Sequence, residues 1–232
     1  MKSGSALTRR LAARGHEVIL IARNGEKLAA LCAEVNAQYQ YVVTDLNNLD
    51  HVEAGVQSFG PIDGIVNCAG SILLKPAHIT TEAEFQQTLD TNLKTAFIAL
   101  RAGVKNMPTG GAIMLISIAA AKAGVIGLAL SAAASYAARN IRVNCVAPGL
   151  IDTPLATRIT GNEAALGRIG KPEDIVNMIE FLLDPSNSWI TGQVFGVDGG
   201  LVRPQMPQNG VGRGGSATPG NSKGAWAAGP ET

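Results

Sequence analysis

The sequence predicts a doubly wound α/β fold built on a parallel sheet, and three observations predict it. Short continuous apolar runs alternate with segments of helical periodicity along most of the chain. Hydrophobic residues make up 46% of the 232 residues and charged residues only 16%, so most elements are buried on more than one side. Strands apolar on both faces belong to parallel sheets covered by helices. The polar and glycine-containing segments Asp45, Asn67 to Gly70, Ser117 and Pro148-Gly149 all fall just after an apolar run. In such folds ligands sit beyond the carboxyl ends of the strands, so these segments converge on one rim.

The elements follow in order. Ser5 to Arg14 reads as a helix, with Leu7 and Leu11 at helical spacing and Gly15 as its stop. Glu17 to Ile21 is a strand and Glu26 to Val35 a helix. Tyr39 to Val43 is a strand ending at Thr44-Asp45, followed by a short helix from Asp50 to Gln57. Gly64 to Asn67 is a strand that runs into Cys68-Ala69-Gly70. Thr81 to Lys105 is a long helix, and Ala112 to Ile116 a strand delivering Ser117. Ala119 to Arg139 is an alanine-rich helix; Ile141 to Val146 is a strand closed by Pro148-Gly149. Glu173 to Leu183 is a helix, and Val194 to Val197 a last strand before Asp198-Gly199-Gly200.

Composition excludes several function classes. A net charge of +1 argues against nucleic acid or an anionic membrane as the main partner. No apolar stretch approaches the roughly 20 residues of a membrane helix. Met1 to Ser5 has no apolar signal core behind it, so the expected location is the cytosol. Cys32, Cys68 and Cys145 are too widely spaced for a disulfide framework or a zinc site and read as small buried thiols. His16, His51 and His78 are dispersed, so no metal is expected. After Arg203 the character changes: residues 204–232 hold seven glycines and four prolines. The expected organisation is one domain over residues 1–203 and a disordered Gly/Pro-rich tail over 204–232. Gly210 to Gly215 has neither a strand before it nor a helix after it, so it is not a phosphate loop.

Four segments together resemble the short-chain dehydrogenase/reductase family. They are Asn67-Cys68-Ala69-Gly70; Asn92 with Phe97 in the long helix; Ile141 to Thr153, reading Ile-Arg-Val-Asn-Cys-Val-Ala-Pro-Gly-Leu-Ile-Asp-Thr; and Gly167 to Asp174, continuing to Ile190-Thr191-Gly192-Gln193 and Val197 to Gly200. The resemblance covers about residues 4 to 202. It implies a Rossmann-like fold, a nicotinamide cofactor, and hydride transfer to or from a carbonyl or alcohol substrate. On the same basis Asn67, Ala69 and Gly70 let the adenosine ribose approach, Asp45 accepts from the adenine amine, and Gly4 lies at the pyrophosphate. Arg23, with no acid beside it, favours the 2′-phosphate of NADP, with NAD possible. Pro148, Gly149, Ile151 and Thr153 frame the nicotinamide. Lys122, Ser117 and Asn92 match the family's catalytic lysine, serine and asparagine. A homo-oligomer, dimer or tetramer, is implied through Thr81 to Lys105 and Ala119 to Arg139.

The chain departs from the family's pattern in three places. The first strand and its Gly-rich turn are lacking, with Gly4 alone aligned to the turn's last glycine. That strand is the central one, and its turn would cradle the pyrophosphate. Ile118 stands where the family has its tyrosine, four residues before Lys122, and isoleucine transfers no proton. Tyr136 lies fourteen residues after Lys122, about 20 Å along a helix, and does not replace it. The segment between Thr153 and Gly167 is short, which leaves a lid over the pocket incomplete. Three readings follow: an oxidoreductase with impaired or altered catalysis, a non-catalytic binding or assembly subunit, and an inactive truncated product.

Overall fold

The computed structural model describes residues 2–35, 40–73, 75–117, 121–152 and 166–200. Ile118, Thr153 and the expected tail, residues 204–232, lie outside them. The described residues form seven helices and six strands, in the order α1 (Lys2–Ala13), β1 (Ile19–Ala22), α2 (Gly25–Glu34), β2 (Gln40–Val43), α3 (Leu49–Gln57), β3 (Gly64–Asn67), α4 (Glu82–Leu89), α5 (Thr95–Asn106), β4 (Gly111–Ile116), α6 (Lys122–Tyr136), β5 (Ile141–Pro148), α7 (Pro172–Leu183) and β6 (Val194–Val197). All strand pairs are parallel. They form two sheets: β1 with β2, and β3-β4-β5-β6. The doubly wound α/β class is therefore present, with the sheet divided between β1 and β3. β1 and β3 are not hydrogen-bonded to each other, so the division falls between them.

Local chemistry explains the helix starts. Asn24 caps α2 by accepting from Lys27 N at 2.8 Å, and Asn48 caps α3 by accepting from His51 N at 3.1 Å. Thr81 and Glu84 form a reciprocal capping box at α4, with Thr81 N donating to Glu84 at 2.8 Å. Pro172 opens α7, where Lys171 N donates to Asp174 at 2.7 Å. The expected single helix over 81–105 is α4 and α5 joined by a π turn at Asp90–Lys94. The alanine-rich helix is described from Lys122, the expected start at 119 lying outside the described residues, and it ends in a 3₁₀ turn at Ala137–Arg139. Asn140, with φ of 56°, reverses the chain into β5.

Helices cover both faces of the four-stranded sheet. On one face Ile113, Leu115, Val143 and Cys145 pack against Ala96, Leu100, Val125 and Ala129 of α5 and α6. On the other, Met114, Ile116 and Val146 pack against Leu7 of α1 and Ile175, Ile179 and Leu182 of α7. A third core joins Val52 and Val56 of α3 to Ile98 and Ala102 of α5, with Ile21 and Ile65 against it. Fully burying each such side chain is worth about 1.5–3 kcal/mol, so these three cores hold the layers. Ion pairs tie the outer helices: Arg10 and Arg14 to Glu180, Arg9 to Glu34, and Arg101 and Lys105 to Glu53. The Arg9–Glu34 pair is exposed and adds little.

Candidate functional site

The carboxyl ends of the strands carry the residues singled out by sequence. Gly4, Arg23, Asp45, Asn67, Ala69 and Gly70 all line one cavity. Gly4 sits in the first turn of α1, its Cα side facing Cys68 just past β3. Arg23 follows β1, is exposed, and makes no ion pair among the described residues. Asp45 follows β2; it is exposed and accepts from Asn47 N at 3.0 Å, which fixes the turn after the strand. Asn67 ends β3 and is buried. Its Oδ1 accepts from Ala69 N at 3.2 Å and its Nδ2 donates to Thr95 Oγ1 at 3.4 Å, so the small residues Ala69 and Gly70 form a fixed turn.

A second group lies at the ends of β4 and β5. Ser117 N donates to Val146 O at 2.9 Å, which sets Ser117 beside β5. Ser117 is 1% exposed and its Oγ finds no conventional hydrogen-bond partner among the described residues. The Cys145 thiol lies next to it. Burial pushes that thiol's pKa up, and the Ser117 hydroxyl and the charge of Lys122 oppose the rise. Ser117 and Cys145 are thus neighbours at the ends of β4 and β5, and Lys122 follows Ser117 by five residues. Lys122 is half-buried and begins α6, where a cation opposes the helix dipole. The Cys68 thiol, half-buried near the start of α1, is pushed up to about 11 by desolvation, which disfavours its thiolate near neutral pH.

Asn92 occupies the π turn and is 2% exposed. Its Oδ1 accepts from Ser71 N at 3.0 Å and its Nδ2 donates to Thr88 O at 2.8 Å. The amide therefore latches the turn after β3 to the α4–α5 junction. Pro148 and Gly149 end β5, and Gly149 N donates to Val197 O at 3.0 Å. A side chain at Gly149 would put its first carbon 2.6 Å from Asp198 Cα, so only glycine allows this approach. Ile151 bridges to Gly170, flanked by Asp152 N donating to Gly170 O at 2.7 Å. Pro148, Gly149, Ile151, Ser117, Lys122 and Asn92 do not line the cavity that holds the first group. The rim thus has two parts.

Two residues carry roles that the sequence reading quoted only as part of a motif. Arg142 is buried in β5 and donates to Leu182 O at 2.6 Å, and more weakly to the carbonyls of Leu183 and Asp184. It caps the carboxyl end of α7 and supplies donors to orphan carbonyls. Burial pulls its pKa down, opposed by the charge of Asp184. Asn144 is fully buried; its Nδ2 donates to Ile190 O at 2.9 Å and its Oδ1 accepts from Gln193 N at 3.0 Å, latching the approach to β6. The signal was present: two polar residues inside an otherwise apolar strand must find partners.

The fold and this rim define a parallel α/β protein whose candidate ligand site lies at the strand carboxyl ends. The family model described as enoyl-(acyl carrier protein) reductase matches residues 4–202. Over 230 residues the chain is 36% identical to the 3-oxoacyl-(acyl-carrier-protein) reductase FabG of Thermotoga maritima, covering 86% of this chain and 93% of that protein. It is 32% identical to carbonyl reductase family member 4 of Danio rerio over 225 residues, covering 85% and 92%. A solved short-chain type dehydrogenase/reductase from Mycobacterium ulcerans superposes with a TM-score of 0.80 at 30% identity, covering 86% of this chain and 85% of that one. The chain belongs to the short-chain dehydrogenase/reductase family, and by that membership it is an oxidoreductase with a nicotinamide cofactor. The aligned stretch with the Thermotoga protein is 230 residues long, whereas 86% of this chain is about 200, so about 30 positions have no counterpart here. Among the described residues no helix is long and apolar enough to cross a membrane, and no group of three His, Cys, Asp or Glu residues is placed to hold a metal ion.

Proposed function

We propose that this chain binds NADP(H) at the strand carboxyl ends and that its hydride chemistry on a carbonyl or alcohol substrate is impaired. The observation that carries the reading is one cavity whose lining includes a guanidinium with no ion pair among the described residues, a carboxylate and a small-residue turn. That donor set fits the adenosine half of the dinucleotide. Arg23 holds the 2′-phosphate, which guanidinium pairs well. Asp45 accepts from the adenine amine; Asn67 fixes the turn that lets Ala69 and Gly70 approach the ribose; Gly4 lies at the pyrophosphate. Pro148, Gly149, Ile151 and Thr153 frame the nicotinamide. When bound, the dinucleotide supplies or accepts the hydride.

Lys122, Ser117 and Asn92 do the remaining work. The Lys122 ammonium has three donors for the nicotinamide ribose. The Ser117 hydroxyl, with no conventional hydrogen-bond partner among the described residues, can turn its donor to a substrate oxygen. Asn92 keeps the turn after β3 in place. None of these moves the proton that the carbonyl oxygen needs, and Ile118 has no titratable group, so water or the substrate must supply it. General acid–base help is typically worth 10²–10⁴-fold, so turnover falls by that order. Exposed Phe85 and Phe97 on α4 and α5 and Leu130 on α6 support assembly into a dimer or tetramer through these helices. A cytosolic location accords with the absence of an apolar membrane-length run. The isoleucine also favours a second reading, a cofactor-binding subunit without turnover. Titrating NADPH and NADH by their own fluorescence, with turnover measured alongside, tests the proposal and separates the two readings. No binding of either nucleotide overturns both.

A further inference from the structure

Ser117 is 1% exposed, and its Oγ has no conventional hydrogen-bond partner among the described residues. Buried polar groups are nearly always hydrogen-bonded, so this oxygen calls for a partner. The buried asparagines of the region are already committed. Asn92 uses its amide on Ser71 N and Thr88 O, Asn67 on Ala69 N and Thr95 Oγ1, and Asn144 on Ile190 O and Gln193 N.

The Cys145 thiol is the group that lies beside the hydroxyl. β4 and β5 pair Leu115 with Cys145 and Ile116 with Val146. Leu115 and Cys145 face the same core, against Val125 and Ala129 of α6. Side chains alternate along a strand, so Ser117, two residues beyond Leu115, stands on that side too. Ser117 N donates to Val146 O at 2.9 Å, and Cys145 Sγ lies 3.9 Å from the same carbonyl oxygen. On the other flank Cys145 N donates to Gln193 O at 2.8 Å, so the backbone under the thiol is held from both neighbouring strands. The Ser117 hydroxyl also opposes the upward shift of the thiol's pKa, as a donor aimed at sulfur does.

We propose that Cys145 is a positioning residue for Ser117: in the resting site the Ser117 O–H donates to the Cys145 sulfur, whose own S–H points to Val146 O. The inference rests on the reading of Ser117 as the donor to a substrate oxygen. Thiol sulfur is a weak acceptor. It therefore keeps a buried hydroxyl aimed in one direction, yet it yields the hydrogen bond to a carbonyl or alcohol oxygen, which accepts more strongly. Cys145, a small buried thiol by sequence, thus has a polar use that packing alone does not supply.

The test reads the pair in the full chain, without nucleotide or substrate. Raman difference spectra against Cys145→Ala isolate the S–H stretching band of Cys145 from those of the free Cys32 and Cys68. Sulfur that accepts a hydrogen bond polarises its own S–H and strengthens the bond that this S–H makes. In Ser117→Ala the Cys145 band is therefore expected to move to higher frequency while the other two stay. Urea unfolding of Ser117→Ala, Cys145→Ala and the double variant should show a coupling of about two- to tenfold in the unfolding constant. Cys145→Ser should be more stable than Cys145→Ala when Ser117 is present and less stable in the Ser117→Ala background, because a buried hydroxyl without a partner is costly. A Cys145 band unmoved by Ser117→Ala overturns the proposal, and so does a cycle without coupling. Failure of the nucleotide titration would overturn the site reading instead, and it moves neither of these readouts.

Discussion

Replacing Asn92 by leucine tests whether its amide is the latch between the turn after β3 and the α4–α5 junction. Both polar atoms of the side chain are in use, one at 3.0 Å from Ser71 N and one at 2.8 Å from Thr88 O. Leucine leaves both partners orphaned. A buried group without its partner costs about 1–3 kcal/mol. Ser71 is half-buried, so water recovers part of its loss, while Thr88 is 4% exposed and loses more. The two together cost about 2–4 kcal/mol, and the added apolar burial of leucine returns about 1 kcal/mol. A net loss of about 1–3 kcal/mol in a domain of this size lowers Tm by roughly 2–12 °C. Thermal and urea unfolding of Asn92→Leu measure it. Asn92→Asp supplies the control: it keeps the acceptor for Ser71 but sets a carboxylate against Thr88 O. Burial and that carbonyl favour the protonated acid, which can donate to Thr88, so its deficit relative to the parent shrinks from pH 8 to pH 5. If Asn92→Leu melts within 1 °C of the parent, as a leucine that costs nothing would, the latch reasoning is wrong.

Gly149→Ala places a methyl group 2.6 Å from the backbone of Asp198, and overpacking of this kind costs about 1–3 kcal/mol. Urea denaturation should show that loss, while Gly127→Ala, whose added carbon meets nothing within 4 Å, shows none; equal effects refute the close-approach argument. The Arg168 guanidinium and the Lys171 N–H hold the Asp174 carboxyl at about 2, below the ordinary value near 4. Because the folded pKa is depressed, this stabilisation is complete above about pH 4 and fades as pH falls toward 2. Asp174→Asn should therefore lower the urea midpoint at pH 7 and lessen its decline between pH 4 and 2; an unchanged acid slope contradicts the assignment.

Much of the fold was legible because apolar runs and helix periods coincide with it. Gly64–Asn67 and Val194–Val197 agree with the sequence reading residue for residue. Helix starts were less legible. α1 begins at Lys2 rather than Ser5, because Ser3 and Gly4 are weak helix formers that packing carries into the helix. The π turn leaves no periodic signal; a buried asparagine on an apolar helix is its trace. The division of the sheet between β1 and β3 has no signal in the residues of either strand, both of which are short apolar runs. At the site, Asp45 and Asn67 to Gly70 were legible as polar and small residues at strand ends. The roles of Arg142 and Asn144 were not drawn from the same kind of signal, since they lay within a motif already explained by resemblance.

The central claim is that this chain retains nucleotide binding at the strand carboxyl ends while lacking the group that moves the proton. NADPH titration of the parent and Arg23→Glu, followed by its own fluorescence, tests it most directly. The account predicts saturable binding by the parent, preference for NADPH over NADH, and loss of that preference in Arg23→Glu, with turnover reduced by about 10²–10⁴-fold relative to a relative that has the tyrosine. No fluorescence change at high protein concentration, or a preference that Arg23→Glu leaves intact, would contradict it.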